Sequence, residues 1–244
     1  AVSMLLTFLG TKNVKLIALK ESSLPLVNGI FLAFKVRYFK PLAIAYILQL
    51  SALGVFTAVA PFFVTEVMKS DGSAITNIFL ALLLGTLLTL LIWSEVGKRF
   101  GKVRAYVSAA LLLMIALFLL WFVQESNDWT LLYLSVFLVG IGFAGLQLLP
   151  FAMLTDLINS EFEEDRDIAG LMTGVWTAVE KGGLALGPLL VGFALSFSGY
   201  DAGGVTQTET AKLGVRFVFS VGPACLALAS LFALYFYRDP KSRA

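Results

Sequence analysis

The sequence of 244 residues contains no histidine and one cysteine, Cys225. Those absences exclude a Ser/His/Asp triad, a histidine-ligated metal, a histidine proton relay and any internal disulfide. Charge is scarce as well: 14% of residues are charged, against about 25% in soluble domains. The net charge of +2 is too small to suggest a nucleic-acid partner. What is present is apolar. Hydrophobic residues make up 59% of the chain and mean hydropathy is +0.88, an excess that only lipid can hide. Six spans of about 20 residues use half the length and leave no room for a sizeable soluble domain.

The apolar stretch Ala1 to Leu9 is too short to cross a bilayer about 30 Å thick. The basic residues Lys12, Lys15 and Lys20 follow it instead of preceding it, the reverse of a signal peptide. It reads as the end of a truncated span. Residues 1–40 are thus expected to form that end plus a basic linker broken at Pro25 and Asn28-Gly29, with an amphipathic surface helix near Val27 to Phe39 as one option. Residues 41–244 are expected to form a bundle of six transmembrane helices. The spans predicted from apolar runs are Leu42–Val67, Ala74–Trp93, Val103–Val123, Trp129–Ile158, Ile168–Phe197 and Leu213–Tyr237. All must be helical, because lipid offers no partner to an exposed peptide group.

Fourteen Lys and Arg fall on one side of these spans, including Lys98, Arg99, Lys102, Arg104 and Arg166. Lys69, Lys212 and Arg216 fall on the other. The first side is expected to be cytoplasmic, with both termini there.

The remaining cation is Lys181, preceded by Glu180. It lies about 13 residues into its span, roughly 20 Å deep at 1.5 Å per residue. An ammonium at that depth costs about 2.5–3.5 kcal/mol on insertion scales, so it is expected to face protein or water. Helical spacing puts Gly174, Thr177, Ala178, Ala185 and Pro188 on its face. Glu180 points about 100° away, toward Thr173, Trp176 and Gly187. The two charges are therefore read as sequence neighbours that do not stack. Gly182-Gly183 and Gly187-Pro188 are expected to weaken this helix and free backbone groups for a ligand or water. A structural ion pair with an adjacent bundle is the alternative. Gln49 and Gln147 also lie inside spans, where either a substrate contact or an interhelical hydrogen bond fits. Gly140, Gly142 and Gly145 point to close helix packing. Trp93, Trp121 and Trp129 read as interfacial belt and lipid-face filler.

Two loops have opposite charge. Gly97 to Arg104 is basic, whereas Glu161, Glu163, Glu164, Asp165 and Asp167 are acidic. Solvated loops are one reading. The other is a gate of ion pairs that closes one state of a moving protein, with Arg99, Lys102 and Arg166 as cations and Asp156 able to join them or to bond a neighbouring helix terminus.

Several segments carry a family resemblance. Pro150-Phe151-Ala152-Met153-Leu154-Thr155-Asp156 is similar to a P-x-A-M-x-x-D segment. Gly170-Leu171 to Trp176 resembles a G-L-x-x-G-x-W run, and Lys181 to Gly187 resembles K-x-G-x-A-x-G. Gly199-Tyr200, Gln207, Ala211, Gly214 and Pro223 follow with matching spacing. Together they resemble the C-terminal half of the glycoside-pentoside-hexuronide cation symporters, the melibiose-carrier-like branch of the major facilitator superfamily. The basic loop resembles the superfamily's loop motif, with Lys98 where an Asp is usual. Asn159 replaces a second acid common in the gate segment.

The resemblance implies an all-α membrane fold: a six-helix bundle forming half of a major-facilitator transporter, built as a 3+3 inverted repeat. It implies cation-coupled symport of a sugar or sugar-like solute, with Lys181 near the central cavity and Asp156 near a cytoplasmic gate. Lys181, Glu180, Trp176, Thr177, Gln147 and Gln49 are the candidate substrate or coupling residues; Asp156, Arg99, Lys102 and Arg166 are the candidate gate. The expected partners are a small-molecule solute, the lipid bilayer and an N-terminal six-helix half. The bilayer is expected to be a bacterial inner membrane. No cofactor or metal is expected in this chain; a coupling Na+ or H+ would sit in the N-terminal half. A lysolipid or drug carrier of the same architecture is the alternative, as is a membrane scaffold that transports nothing. An intramembrane enzyme is not expected, since no nucleophile is paired with a base.

Overall fold

The structure, a computed structural model, describes residue 10 and residues 33–123, 129–161, 166–204 and 206–237; for residues 161 and 166–168 it describes the backbone alone. Most of the expected linker and the acidic loop therefore lie outside the described residues. Within them the chain is helical, with no strand. The elements are α1 (Phe39–Phe62), continued by a π-helical turn at Phe63–Val67, α2 (Ser73–Phe100), α3 (Lys102–Leu120), α4 (Trp129–Glu161), α5 (Arg166–Phe197), α6 (Glu209–Phe219) and α7 (Val221–Tyr235). Six spans result, all long and apolar enough to cross a bilayer, because α6 and α7 together make the last.

The boundaries follow from local chemistry. Gly101 alone joins α2 to α3, with φ of 89°, a left-handed conformation that glycine tolerates without strain. Thr208 caps α6 by accepting a hydrogen bond from the Ala211 backbone N–H at 3.2 Å. The last span is interrupted at Ser220. Pro223, two residues into α7, has no N–H to offer the previous turn, and the first turn of a helix is where that loss costs least. The interruption expected at Gly182-Gly183 and Gly187-Pro188 does not occur, and α5 runs unbroken through both.

Packing explains why. The first span lies against α5 and α7, the fourth lies against α2 and α3, and α3 meets α7. Exchanging the first span with the fourth, the second with the fifth and the third with the sixth maps this pattern onto itself. Three is odd, so the second unit of three enters the bilayer from the side opposite the first, which is the 3+3 inverted arrangement. Matching glycine contacts hold the two units. On α1, a Cβ added to Gly54 would meet Leu184 O at 2.8 Å and Gly187 Cα at 3.0 Å. At the corresponding seam Gly85 of α2 and Gly140 of α4 each press on the backbone of the facing helix. Gly142 and Gly145 pack likewise, against Leu113 N at 2.9 Å and Ala109 Cβ at 2.7 Å. Without a hydrophobic force between helices in lipid, such close backbone contact supplies the association energy.

Hydroxyls reinforce the same seams. Ser51 Oγ donates to Gly183 O at 3.1 Å and Thr86 Oγ1 to Gly140 O at 3.2 Å. Trp93, read from sequence as belt or filler, is instead buried between α2 and α4, its Nε1 donating to Ile141 O at 2.7 Å. Leu83, Leu84, Leu87, Leu88 and Leu91 of α2 face outward, as lipid contact requires.

Replacing Gly187 with Val should force α5 off α1 and lower stability by at least about 1–3 kcal/mol, the usual overpacking cost. Gly192, with open space around it, should accept Ala with no loss. Thermal unfolding of the purified variants, followed by size-exclusion monodispersity, measures both.

Candidate functional site

The glycines divide α5 into two faces. Gly183 and Gly187 turn toward α1, whereas Gly170, Gly174 and Gly182 have nothing within 4 Å of an added Cβ. With Thr173, Thr177, Ala178, Lys181, Ala185 and Pro188, those open glycines form an exposed strip of mostly small side chains along the middle of the span. Helical spacing anticipated this face, and the structure leaves it uncovered by the other five spans.

Lys181 stands on the strip with its side chain 69% exposed, and Glu180 at the margin is 26% exposed. Lys181 Nζ reaches Glu180 Oε1 at 3.2 Å. This corrects the expectation that the neighbouring charges stay apart. Residues i and i+1 diverge by about 100°, yet the lysine stem is long enough to fold back across that angle. Thr177 is exposed, but its hydroxyl donates to Thr173 O at 3.0 Å, and Thr173 donates to Ala169 O at 2.9 Å. Neither oxygen needs a further acceptor.

Beside Glu180 lies an aromatic wall. Trp176 is 1% exposed; its ring stacks on Tyr46 of α1 at 4.3 Å and meets Phe39 edge-on at 6.3 Å. Glu180 follows Trp176 by four residues, so it lies one turn along the same side of α5. Gln147 of α4 is half-buried, and its Nε2 donates to the Tyr46 hydroxyl at 3.4 Å. Gln147 Oε1 and Trp176 Nε1 are buried without a hydrogen-bond partner. Thus Glu180, Trp176, Gln147 and Tyr46 converge from three helices, and Tyr46 is the member that sequence reasoning missed.

Gln49 does not join them. Its Nε2 donates to Leu146 O at 2.6 Å, and its Oε1 accepts from the Tyr106 hydroxyl at 2.9 Å. Tyr106 has one proton, so Ser230 Oγ, 2.6 Å away, donates to it. The signal for this network is in the sequence. Pro150 has no N–H with which to bond the carbonyl four residues earlier, and Leu146 O is that carbonyl. Gln49 fills the vacancy, which is the interhelical hydrogen bond its position allowed.

The candidate gate separates in the same way. Lys102, the first residue of α3, pairs with Asp156 of α4 at 2.5 Å and donates to Ala152 O at 2.9 Å. Asp156 thereby bonds a neighbouring helix terminus. Arg99 instead pairs with Glu95 one turn back on α2 at 2.6 Å, with both side chains more than half exposed. The side chain of Arg166 lies outside the described residues. At the far end, Arg216 Nη2 donates to Trp121 O, where α3 ends, and the guanidinium sits 5.0 Å above the Trp121 ring. A cation there complements the helix dipole and ties the third span to the sixth. Among the described residues no three metal-ligating side chains gather.

A membrane bundle with a charged, uncovered mid-span face matches the family model described as MFS/sugar transport protein, over residues 1–239. The chain belongs to that family. This MFS chain is an integral membrane protein of a transporter family. It is 28% identical over 88% of its length to an uncharacterized symporter of Synechocystis sp., covering 40% of that protein. It is 29% identical over 68% of its length to the sodium-dependent lysophosphatidylcholine symporter 1 of Homo sapiens, covering 31% of it. It is 24% identical over 68% of its length to a sphingosine-1-phosphate transporter of Mus musculus, covering 34% of it. The MFS chain thus spans well under half the length of these curated relatives.

Replacing Asp156 with Asn should destabilise the bundle by about 2 kcal/mol. That is less than the 3–5 kcal/mol of a fully buried broken pair, because Lys102 remains a quarter exposed. Glu95→Gln, in an exposed pair, should change stability by less than about 1 kcal/mol. Denaturant titration in detergent compares them.

Proposed function

We propose that this chain is the C-terminal half of a cation-coupled symporter, and that the α5 strip around Lys181 is one wall of its solute path. The observation carrying the proposal is a lysine at mid-span, 69% exposed, on a strip whose small side chains leave room beside it. Lipid is a poor environment for that ammonium; a hydrated path closed on its other side by an N-terminal six-helix half is a good one. The two halves rock about the site and expose it to each side in turn. The coupling cation, Na+ or H+, binds in the N-terminal half. The turn between α2 and α3, with Lys98, Arg99, Lys102 and Arg104, lies at the cytoplasmic face by the positive-inside rule, of the plasma membrane in a bacterial cell. There the Lys102–Asp156 pair holds α3 to α4 beside the cytoplasmic gate.

The solute is an amphiphile with a phosphate-bearing head and an apolar chain. One cation on a strip otherwise made of glycine, alanine, proline and self-bonded threonines offers a single polar anchor and an otherwise apolar surface. Lysophosphatidylcholine and sphingosine 1-phosphate, the substrates for which the vertebrate relatives are named, have that form. A sugar is the second reading, supported by the family's description and by the melibiose-carrier-like motifs. It would hydrogen-bond Lys181, Glu180 and Gln147, with Trp176 as backing.

Reconstituted in vesicles with an inward Na+ or proton gradient, the transporter containing this chain should accumulate labelled lysophosphatidylcholine in preference to a labelled galactoside. Replacing Lys181 with Ala should cut that uptake at least about tenfold, the scale of one lost charged contact, while membrane insertion is retained. Galactoside uptake alone would favour the sugar, and undiminished uptake by the alanine variant would remove Lys181 from the path.

A further inference from the structure

Glu180 is the residue that the solute path leaves unexplained. It lies at the edge of the strip, 26% exposed, one turn along α5 from Trp176, whose ring stacks on Tyr46. Its charge cannot serve an anionic solute directly. Its one described ion-pair partner is Lys181, 3.2 Å away. That pair is geometrically indirect. The two side chains leave the helix about 100° apart, and the lysine must curl back to make it, although open space lies over Gly174 and Gly182.

We propose that Glu180 is a resident counter-ion for Lys181, displaced when the anionic head of the solute arrives; this rests on the reading of Lys181 as the solute's anchor. With the path empty, the carboxylate 3.2 Å from the ammonium is the anion that balances it. Ion pairs this exposed are weak, which lets an incoming phosphate take the ammonium while Glu180 keeps its place beside the aromatic wall. When the solute departs, Glu180 takes Lys181 back. The carboxylate therefore lowers affinity and speeds release. It sets which solutes bind productively, since only one bearing an anion can compete for the lysine.

The test compares uptake of labelled lysophosphatidylcholine by the transporter containing this chain, as wild type and as Glu180→Gln, Glu180→Asp and Lys181→Ala variants. Glu180→Gln keeps the shape and removes the competing charge. Its KM should fall about threefold, the scale of an exposed pair, and its kcat should fall as release slows. Glu180→Asp should return both constants to near wild-type values. A purely structural role would lower the amount of active protein without lowering KM. An unchanged or raised KM in Glu180→Gln would overturn the proposal. If the glutamine variant does not insert, Glu180→Asn gives the same reading. Loss of uptake in Lys181→Ala with an unmoved KM in Glu180→Gln sinks the counter-ion alone; undiminished uptake in Lys181→Ala sinks the solute reading itself.

Discussion

Close backbone contact between helices is the constraint on which this bundle depends. In lipid, apolar side chains gain little by leaving one hydrocarbon for another, so spans associate through van der Waals contact and bonds to exposed carbonyls. The contact of Gly54 with Gly187 and those of Gly85 and Gly140 meet that requirement at corresponding seams of the two three-helix units. Once α5 is pinned to α1 through Gly183 and Gly187, helical periodicity turns its other face outward. Lys181 is presented because the opposite side of its helix is committed to packing.

The prolines illustrate how the same physics separates support from function. Pro150 and Pro188 lie inside helices, and each leaves a carbonyl four residues earlier without its usual partner. Gln49 occupies the Leu146 carbonyl, while the Leu184 carbonyl lies against Gly54. The first carbonyl thus gains a donor from a distant span, and the second lies in a tight backbone contact. Gln147 Oε1, Trp176 Nε1 and Ser135 Oγ are among the buried polar atoms without a hydrogen-bond partner, and the first two belong to the wall beside Glu180.

Much of this was legible in the residues. All six spans were placed within a few residues of their helical limits except the second, which continues from Trp93 to Phe100 because Val96 and Gly97 still pack against the bundle. The strip on α5 followed from offsets of three, four and seven. Harder to read was which glycines break a helix and which dock it. Gly182-Gly183 and Gly187-Pro188 looked like interruptions, and only the position of α1 makes Gly183 and Gly187 contacts. Tyr46, Tyr106 and Trp93 were invisible for a related reason: an aromatic residue in an apolar run carries no sign of the carbonyl or amide that a distant span will bring to it. The Glu180–Lys181 pair was misjudged by treating side chains as rigid vectors from the helix, which a four-carbon stem is not.

The central claim is that the strip bearing Lys181 borders water in the working transporter. Its most direct measurement is the reactivity of a cysteine placed at Ala178, in a background where the exposed Cys225 is replaced by Ala, toward a membrane-impermeant thiol reagent applied from each side. A solute path predicts labelling from both sides and protection when lysophosphatidylcholine is present. A cysteine that neither side can label would mean that the strip is sealed against another helix, and that Lys181 lies in a packing seam.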